Sequence, residues 1–187
     1  MGAIRGFITR NRLPEHYLQQ ASIWFDPIVE TLIEHHAEHQ NGARRTNLGR
    51  PNPARTLIVG INGCQGSGKT TLADYLCTRL IDRGLKVTAI SIDDFYLTRL
   101  QRQQLALEVH PLLSTRGVPG THDLELALDT LHQLSANSGA VRVPKFNKAQ
   151  DDRFPQEQWP EEPETPLAVS YTHLRAHETR HDLVCRL

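Results

Sequence analysis

The sequence predicts an α/β fold, a three-layer α/β/α arrangement around a parallel sheet, preceded by helices. Three observations predict it. Thr56-Leu57-Ile58-Val59-Gly60-Ile61 is a short apolar, β-branched run, as a strand buried on both faces should be. A glycine-rich loop follows at once, and an amphipathic helix follows the loop. A second β-branched run, Lys86-Val87-Thr88-Ala89-Ile90-Ser91-Ile92, comes after that helix, where the next parallel strand belongs.

Ahead of this core, residues 14–40 are expected to be helical. Leu13-Pro14-Glu15 suits a helix start, and Trp24, Ile28, Leu32 and Ile33 form an apolar stripe with Phe25 and Val29 beside it. Pro27 is expected to break the segment in two. His35, His36 and His39 sit at helical spacing that a metal could use. A solvated helix end, where histidine complements the negative pole, is the favoured reading. Residues 41–55 have the composition of a linker, with solvated arginines. The organisation read from the chain is therefore a helical segment 1–40, a linker 41–55, a core 56–168 and a distinct tail 169–187.

The loop reads Gly63-Cys64-Gln65-Gly66-Ser67-Gly68-Lys69-Thr70, with Thr71 next. This is G-x-x-x-x-G-K-[ST], the phosphate-binding loop (P-loop) of nucleoside triphosphatases and kinases. Its glycines let the backbone wrap phosphates with N–H groups, and Lys69 offers a charge to the β- and γ-phosphates. The Thr70 hydroxyl can ligate Mg²⁺. ATP and Mg²⁺ are the expected ligands. Cys64 reads as a small loop filler, with oxidation near Lys69 the alternative. In the helix after the loop, Leu72, Leu76 and Leu80 recur at helical spacing, with Ala73 and Tyr75 beside them, and Gly84 stands where a C′ glycine would end it.

Asp93-Asp94-Phe95-Tyr96 follows the second strand at its carboxyl end, the edge where open α/β sheets bind ligands. Asp93 is the candidate base for an acceptor hydroxyl, with Asp94 as its neighbour or an outer Mg²⁺ ligand. The structural alternative is that one aspartate caps the helix expected over 97–109, which Pro111 ends. Ser114–Asp123 is a turn-rich loop, and Thr121 or Asp123 can cap the next helix, whose apolar positions run from Leu124 to Leu134. Ala140 to Lys148 reads as a short edge-like strand entering a basic loop, and residues 151–166 read as acidic, proline-rich and irregular. Arg116, His122, Lys145, Lys148 and Arg153 are candidate grips on an anionic acceptor, with Asp94, Tyr96 and Asp123 placed to line the same site.

Composition narrows the partners. Basic and acidic residues balance at 21 each and aromatics are 6%, which points away from nucleic acid and from anionic membrane surfaces. No apolar run reaches the length of a membrane span, and the first residues lack the apolar core of a signal peptide. The 3 cysteines fit a reducing cytoplasm. Oligomeric state is not legible.

The segments Cys64–Thr71, Ser91–Leu97, Thr115–Asp123 and Val143–Lys148 together resemble the plant-type D-glycerate 3-kinase family and its bacterial kinase relatives. More distantly they resemble uridine kinase and pantothenate kinase. The resemblance covers residues 56–168 and implies ATP, Mg²⁺ and a small hydroxyl acceptor, with Asp93 as the base or hydroxyl-orienting group. Glycerate is the acceptor it implies first. A nucleoside- or pantothenate-like kinase and a nucleotide-binding switch without turnover are the alternatives.

Residues 169–187 depart from that pattern. Val169 to Leu187 resembles a translated sequencing-library adapter, which would make the tail foreign and its histidines His173, His177 and His181 no metal site. The family continues here with an apolar strand beside the P-loop strand, ending in a Glu-Gly-Trp-type motif whose Glu helps hold Mg²⁺. The expectation is that this strand, its acid and any lid are missing, and that the chain as written is poorly stable and inactive.

Overall fold

The computed structural model describes residues 2–43, 56–64, 66–136, 139–162 and 167–171. In chain order its elements are α1 (Gly2–Asn11), α2 (Tyr17–Ala43), β1 (Leu57–Ile61), α3 (Lys69–Asp82), β2 (Val87–Ser91), α4 (Arg99–Glu108), α5 (Leu124–Ala136), β3 (Val141–Arg142), β4 (Phe146–Asn147), β5 (Asp152–Arg153), β6 (Glu161–Glu162) and β7 (Leu167–Tyr171). Most of the expected linker, 44–55, lies outside the described residues, as do Gln65 and residues 172–187 of the tail.

The central sheet is parallel, in the order β1-β7-β2. Alternation along β2 divides the packing into two layers. Val87 and Ala89 face a core of α1, α2 and α3 residues, including Phe7, Val29, Leu32, Tyr75, Leu76 and Leu80. Ile90 points the other way, into a second core with Phe95, Ala127, Leu134, Val141 and Val143. Helices therefore cover both faces, as the predicted three-layer class requires. Helix α3 closes with a Schellman turn. Gly84 takes φ 82°, Leu85 N–H donates to Leu80 O at 3.1 Å, and Gly84 N–H donates to Ile81 O at 2.9 Å.

Two expectations are corrected. Pro27 does not break its helix, because α2 runs through it. The proline removes one hydrogen bond, but α3 clamps α2 on both sides of it. Asp26 accepts from Tyr75 Oη at 2.8 Å and from Arg79 Nε and Nη2 at 3.0 Å each, while Glu30 accepts from Arg83 Nη2 at 2.6 Å. Burial, and then Asp26, push the Tyr75 phenol above its usual range. Helix α1 docks on the same helix, with Asp74 accepting from Arg10 and Asn11.

Second, the strand expected to be missing is present. Leu167–Tyr171 fills the slot between β1 and β2, registering Leu57 and Val87 on Leu167 and Ile61 and Ser91 on Tyr171. The slot offers two rows of backbone donors and acceptors, and Leu167, Val169 and Tyr171 are residue types that suit a pleated strand. The short pieces after α5 are antiparallel pairs, β3 with β6 and β4 with β5; β3 and β4 lie in the expected edge-like strand, and β5 and β6 in the segment expected to be irregular.

Candidate active site

The sheet brings the two predicted chemical centres to one edge. Ile61 and Ser91 both register on Tyr171, so the P-loop and the Asp93 turn leave the carboxyl ends of strands separated by one intervening strand, β7. At about 4.8 Å per strand, β1 and β2 lie roughly 10 Å apart.

The P-loop geometry fits a polyphosphate. Gly66 and Gly68 hold φ 78° and 84°, which favour glycine. A Cβ at Gly63 would sit 2.9 Å from Ser67 Oγ. No side chain caps the start of α3, so its first N–H groups are left for the loop to present, and the helix pole adds positive character. Lys69 is buried and donates to Cys64 O and, at 3.3 Å, to Ser67 Oγ, so it spans the loop from within. Thr70 is exposed on the first turn, where its hydroxyl is an oxygen donor of the kind Mg²⁺ takes, and Thr71 is half-buried behind it. Cys64 is a free, exposed thiol. The sequence of β7 supplies no carboxylate; Asp93 and Asp94 are carboxylates that follow β2 at the same sheet edge.

Asp93 lies in a 3-10 turn, Ile92–Phe95, whose start is capped by Ser91 Oγ accepting from Asp93 N–H at 3.2 Å. Its carboxylate is buried and accepts from Lys148 Nζ at 2.9 Å. Asp94 accepts from Lys145 Nζ at 2.8 Å and from Phe146 N–H at 3.2 Å. Neither aspartate caps a helix. Thr98 does, in a capping box with Gln101 at the start of α4. Asp123, not Thr121, caps α5, accepting from Leu126 N–H at 3.1 Å. Its other oxygen accepts from Arg153 Nη2 at 3.0 Å.

Tyr96 and His122 form a bridge between the Asp93 turn and the Arg116–Asp123 loop, and their rings stack at 4.2 Å. Burial lowers the His122 pKa, with Asp93 opposing weakly, so the ring favours its neutral form. Arg116 donates to Asp151 Oδ1 at 2.8 Å and to Lys148 O at 3.1 Å. All the acceptor-site candidates therefore belong to one connected group at the sheet edge.

Sequence reading missed the support beneath that group. Arg102 on α4 is 0% exposed and donates to Asp151 O at 2.7 Å and Oδ2 at 2.8 Å. Arg102 and Arg116 both lie over the Phe146 ring, at 5.6 and 5.7 Å from its centroid. Asp151 holds φ 55°, an uncommon conformation for a non-glycine residue, and the two guanidinium groups hold it there. In sequence, Arg102 is one arginine in a polar helix, and nothing local marks it for burial. His35 faces Glu38 at 3.5 Å and His36 faces Gln40 at 3.4 Å. Among the described residues no group of three or more His, Cys, Asp or Glu could hold a metal, and no helix is long and apolar enough to cross a membrane.

Comparison with known proteins agrees with this geometry. Residues 28–95 match the family described as methylmalonyl Co-A mutase-associated GTPase MeaB, a P-loop family. The chloroplastic D-glycerate 3-kinase of Arabidopsis thaliana is 32% identical, over 82% of this chain and 33% of its own length. The uncharacterized kinase mug58 of Schizosaccharomyces pombe is 38% identical, over 59% of this chain and 43% of its own. Among solved structures, D-glycerate 3-kinase from Cryptococcus neoformans superposes with a TM-score of 0.63 at 26% identity, covering 79% of this chain and 51% of that one. The chain thus spans between a third and a half of these relatives. Its homologues, which also include pantothenate kinases, are P-loop small-molecule kinases, and it has their α/β fold.

Proposed function

We propose that this chain carries the nucleotide loop and acceptor-facing edge of an ATP-dependent kinase for a small hydroxyl acceptor, D-glycerate in the first instance. The observation that supports this is a buried carboxylate, Asp93, at the same sheet edge as the P-loop and within reach of cationic side chains. The named relatives favour glycerate over a neutral acceptor.

In this reading the loop N–H groups and Lys69 bind the triphosphate, and Lys69 exchanges its contacts with Cys64 O and Ser67 Oγ for phosphate oxygens. Thr70 would hold Mg²⁺, which when bound neutralises phosphate charge. Lys148 turns aside, and Asp93 accepts the proton of the acceptor hydroxyl. The hydroxyl oxygen bonds to the γ-phosphorus as the bond from that phosphorus to the β-bridging oxygen breaks, releasing ADP. Lys148 then faces the transferred charge. Because β7 supplies no acid, we expect this 187-residue chain to bind ATP but turn over poorly, and we read residues 169–187 as foreign to the kinase.

The test is ADP release by the full-length gene product with D-glycerate, glycerol, pantothenate and uridine. Glycerate-dependent release that Asp93→Asn abolishes is expected. A preference for pantothenate or uridine would reassign the acceptor. Function untouched by Asp93→Asn would make the protein a nucleotide-binding switch instead.

A further inference from the structure

Charge pairing at the sheet edge singles out one residue. The sequence offers Arg116, His122, Lys145, Lys148 and Arg153 to an anionic acceptor without ranking them. In the fold, Lys145 is matched by Asp94, Lys148 by Asp93 and Arg153 by Asp123, each through its own carboxylate. Those pairs are neutral. His122 favours its uncharged form for want of solvent. Arg102 and Arg116 are different, because both lean on the single carboxylate of Asp151. Two guanidinium groups at this edge therefore share one carboxylate, while the neighbouring Asp152 accepts from the backbone N–H groups of Arg99 and Arg153. Arg102 is 0% exposed and cannot meet a solute, whereas the Arg116 side chain is 35% exposed.

From this we infer that Arg116 is the carboxylate-binding residue of the acceptor site, and that Lys145 is not. The inference rests on the kinase reading above and deepens it by naming the substrate class, a small hydroxy acid. Arg116 suits the task. Asp151 and Lys148 O hold its Nη1, leaving the rest of its donor fork for a planar anion. Phe146 backs the guanidinium face, and Arg102 fixes Asp151 through two contacts, so the fork is held in place before a ligand arrives. Through Lys148 O, the same arginine touches the residue whose side chain covers Asp93.

The test is calorimetric binding of D-glycerate, glycerol and acetate to this chain, with ATP binding as the control for folding. The wild type should prefer glycerate to glycerol. Arg116→Gln should erase that preference, a loss on the order of 10- to 100-fold for a charge-assisted contact, while Lys145→Gln should largely keep it. Asp151→Asn keeps the shape and removes the balancing charge, so it should tighten carboxylate binding, the opposite of what structural damage would do. Retained preference in Arg116→Gln, equal loss in Lys145→Gln, weaker binding in Asp151→Asn, or a wild type that binds no carboxylate would each overturn the inference. Acetate binding that depends on Arg116, without a preference for glycerate, would uphold it and overturn the glycerate reading alone.

Discussion

The two sides of the sheet use the same chemistry, carboxylates paired with cations, to different ends. Between α2 and α3 the partners are matched in exposure, with Arg79 at 28% and Asp26 at 27%. Both ends of such a pair are tied to helices, and its work is to hold them together. At the sheet edge the pair is lopsided. Asp93 is 8% exposed, whereas Lys148, which covers it, is 59% exposed. A lysine on a flexible stem can leave such a pair at little cost, and the carboxylate it leaves is already desolvated and aimed. Asymmetry of burial, with the carboxylate as the buried partner, separates the proposed base from the bracket.

The largest effect should come from Asp93→Asn, which removes the buried partner and should lower turnover of the full-length gene product by about 10²- to 10⁴-fold with little change in KM for ATP. A comparable loss in Asp26→Asn would break the comparison. Next, Lys69→Ala should weaken ATP binding to this chain on the order of 10- to 100-fold, read by calorimetry. On the structural side, Asp26→Ala strips partners from Tyr75 and Arg79 and should cost about 1–3 kcal/mol in urea unfolding without altering ATP affinity. Pro27→Ala should add roughly 1 kcal/mol or more, since it restores a helical N–H within α2; a loss of stability would mean the kink is needed for the Asp26 contacts.

The smallest effect is pH-dependent. Burial depresses the His122 pKa, so the unfolded chain binds more protons than the folded one just below the ordinary histidine value of about 6.5. Stability should therefore fall as pH drops through that value, and the fall should be shallower in His122→Phe. An identical slope in the two proteins would show that His122 does not carry the dependence, which would leave His36, shifted the same way by burial, as its source.

What sequence could read followed from local rules. The P-loop, β1, α3 with its Gly84 terminus, β2 and the Asp93 turn are each specified by neighbours in the chain. Helix α1 reads only as part of a helical segment 1–40, without bounds of its own, because Gly2–Asn11 has a sparse apolar pattern and its burial of Phe7 depends on α3. Pro27 misled for a similar reason, since the contacts that carry α2 across it come from Tyr75, Arg79 and Arg83. At the site, the residue types were legible and their pairing was not. Asp151 lies far from both Arg102 and Arg116 in sequence, and only the fold shows that they share it.

The central position of β7 has a consequence for how the molecule is made. The strands β1 and β2 do not pair with each other; each waits for residues 167–171, far downstream of both, so the sheet carries long-range contacts of the kind that slow folding. During synthesis the N-terminal helices can pack on α3 while both strands still expose open edges. A nascent chain in that condition is a template for pairing with other strands. Demand on chaperones should therefore persist until residues 167–171 have been made and slot between β1 and β2.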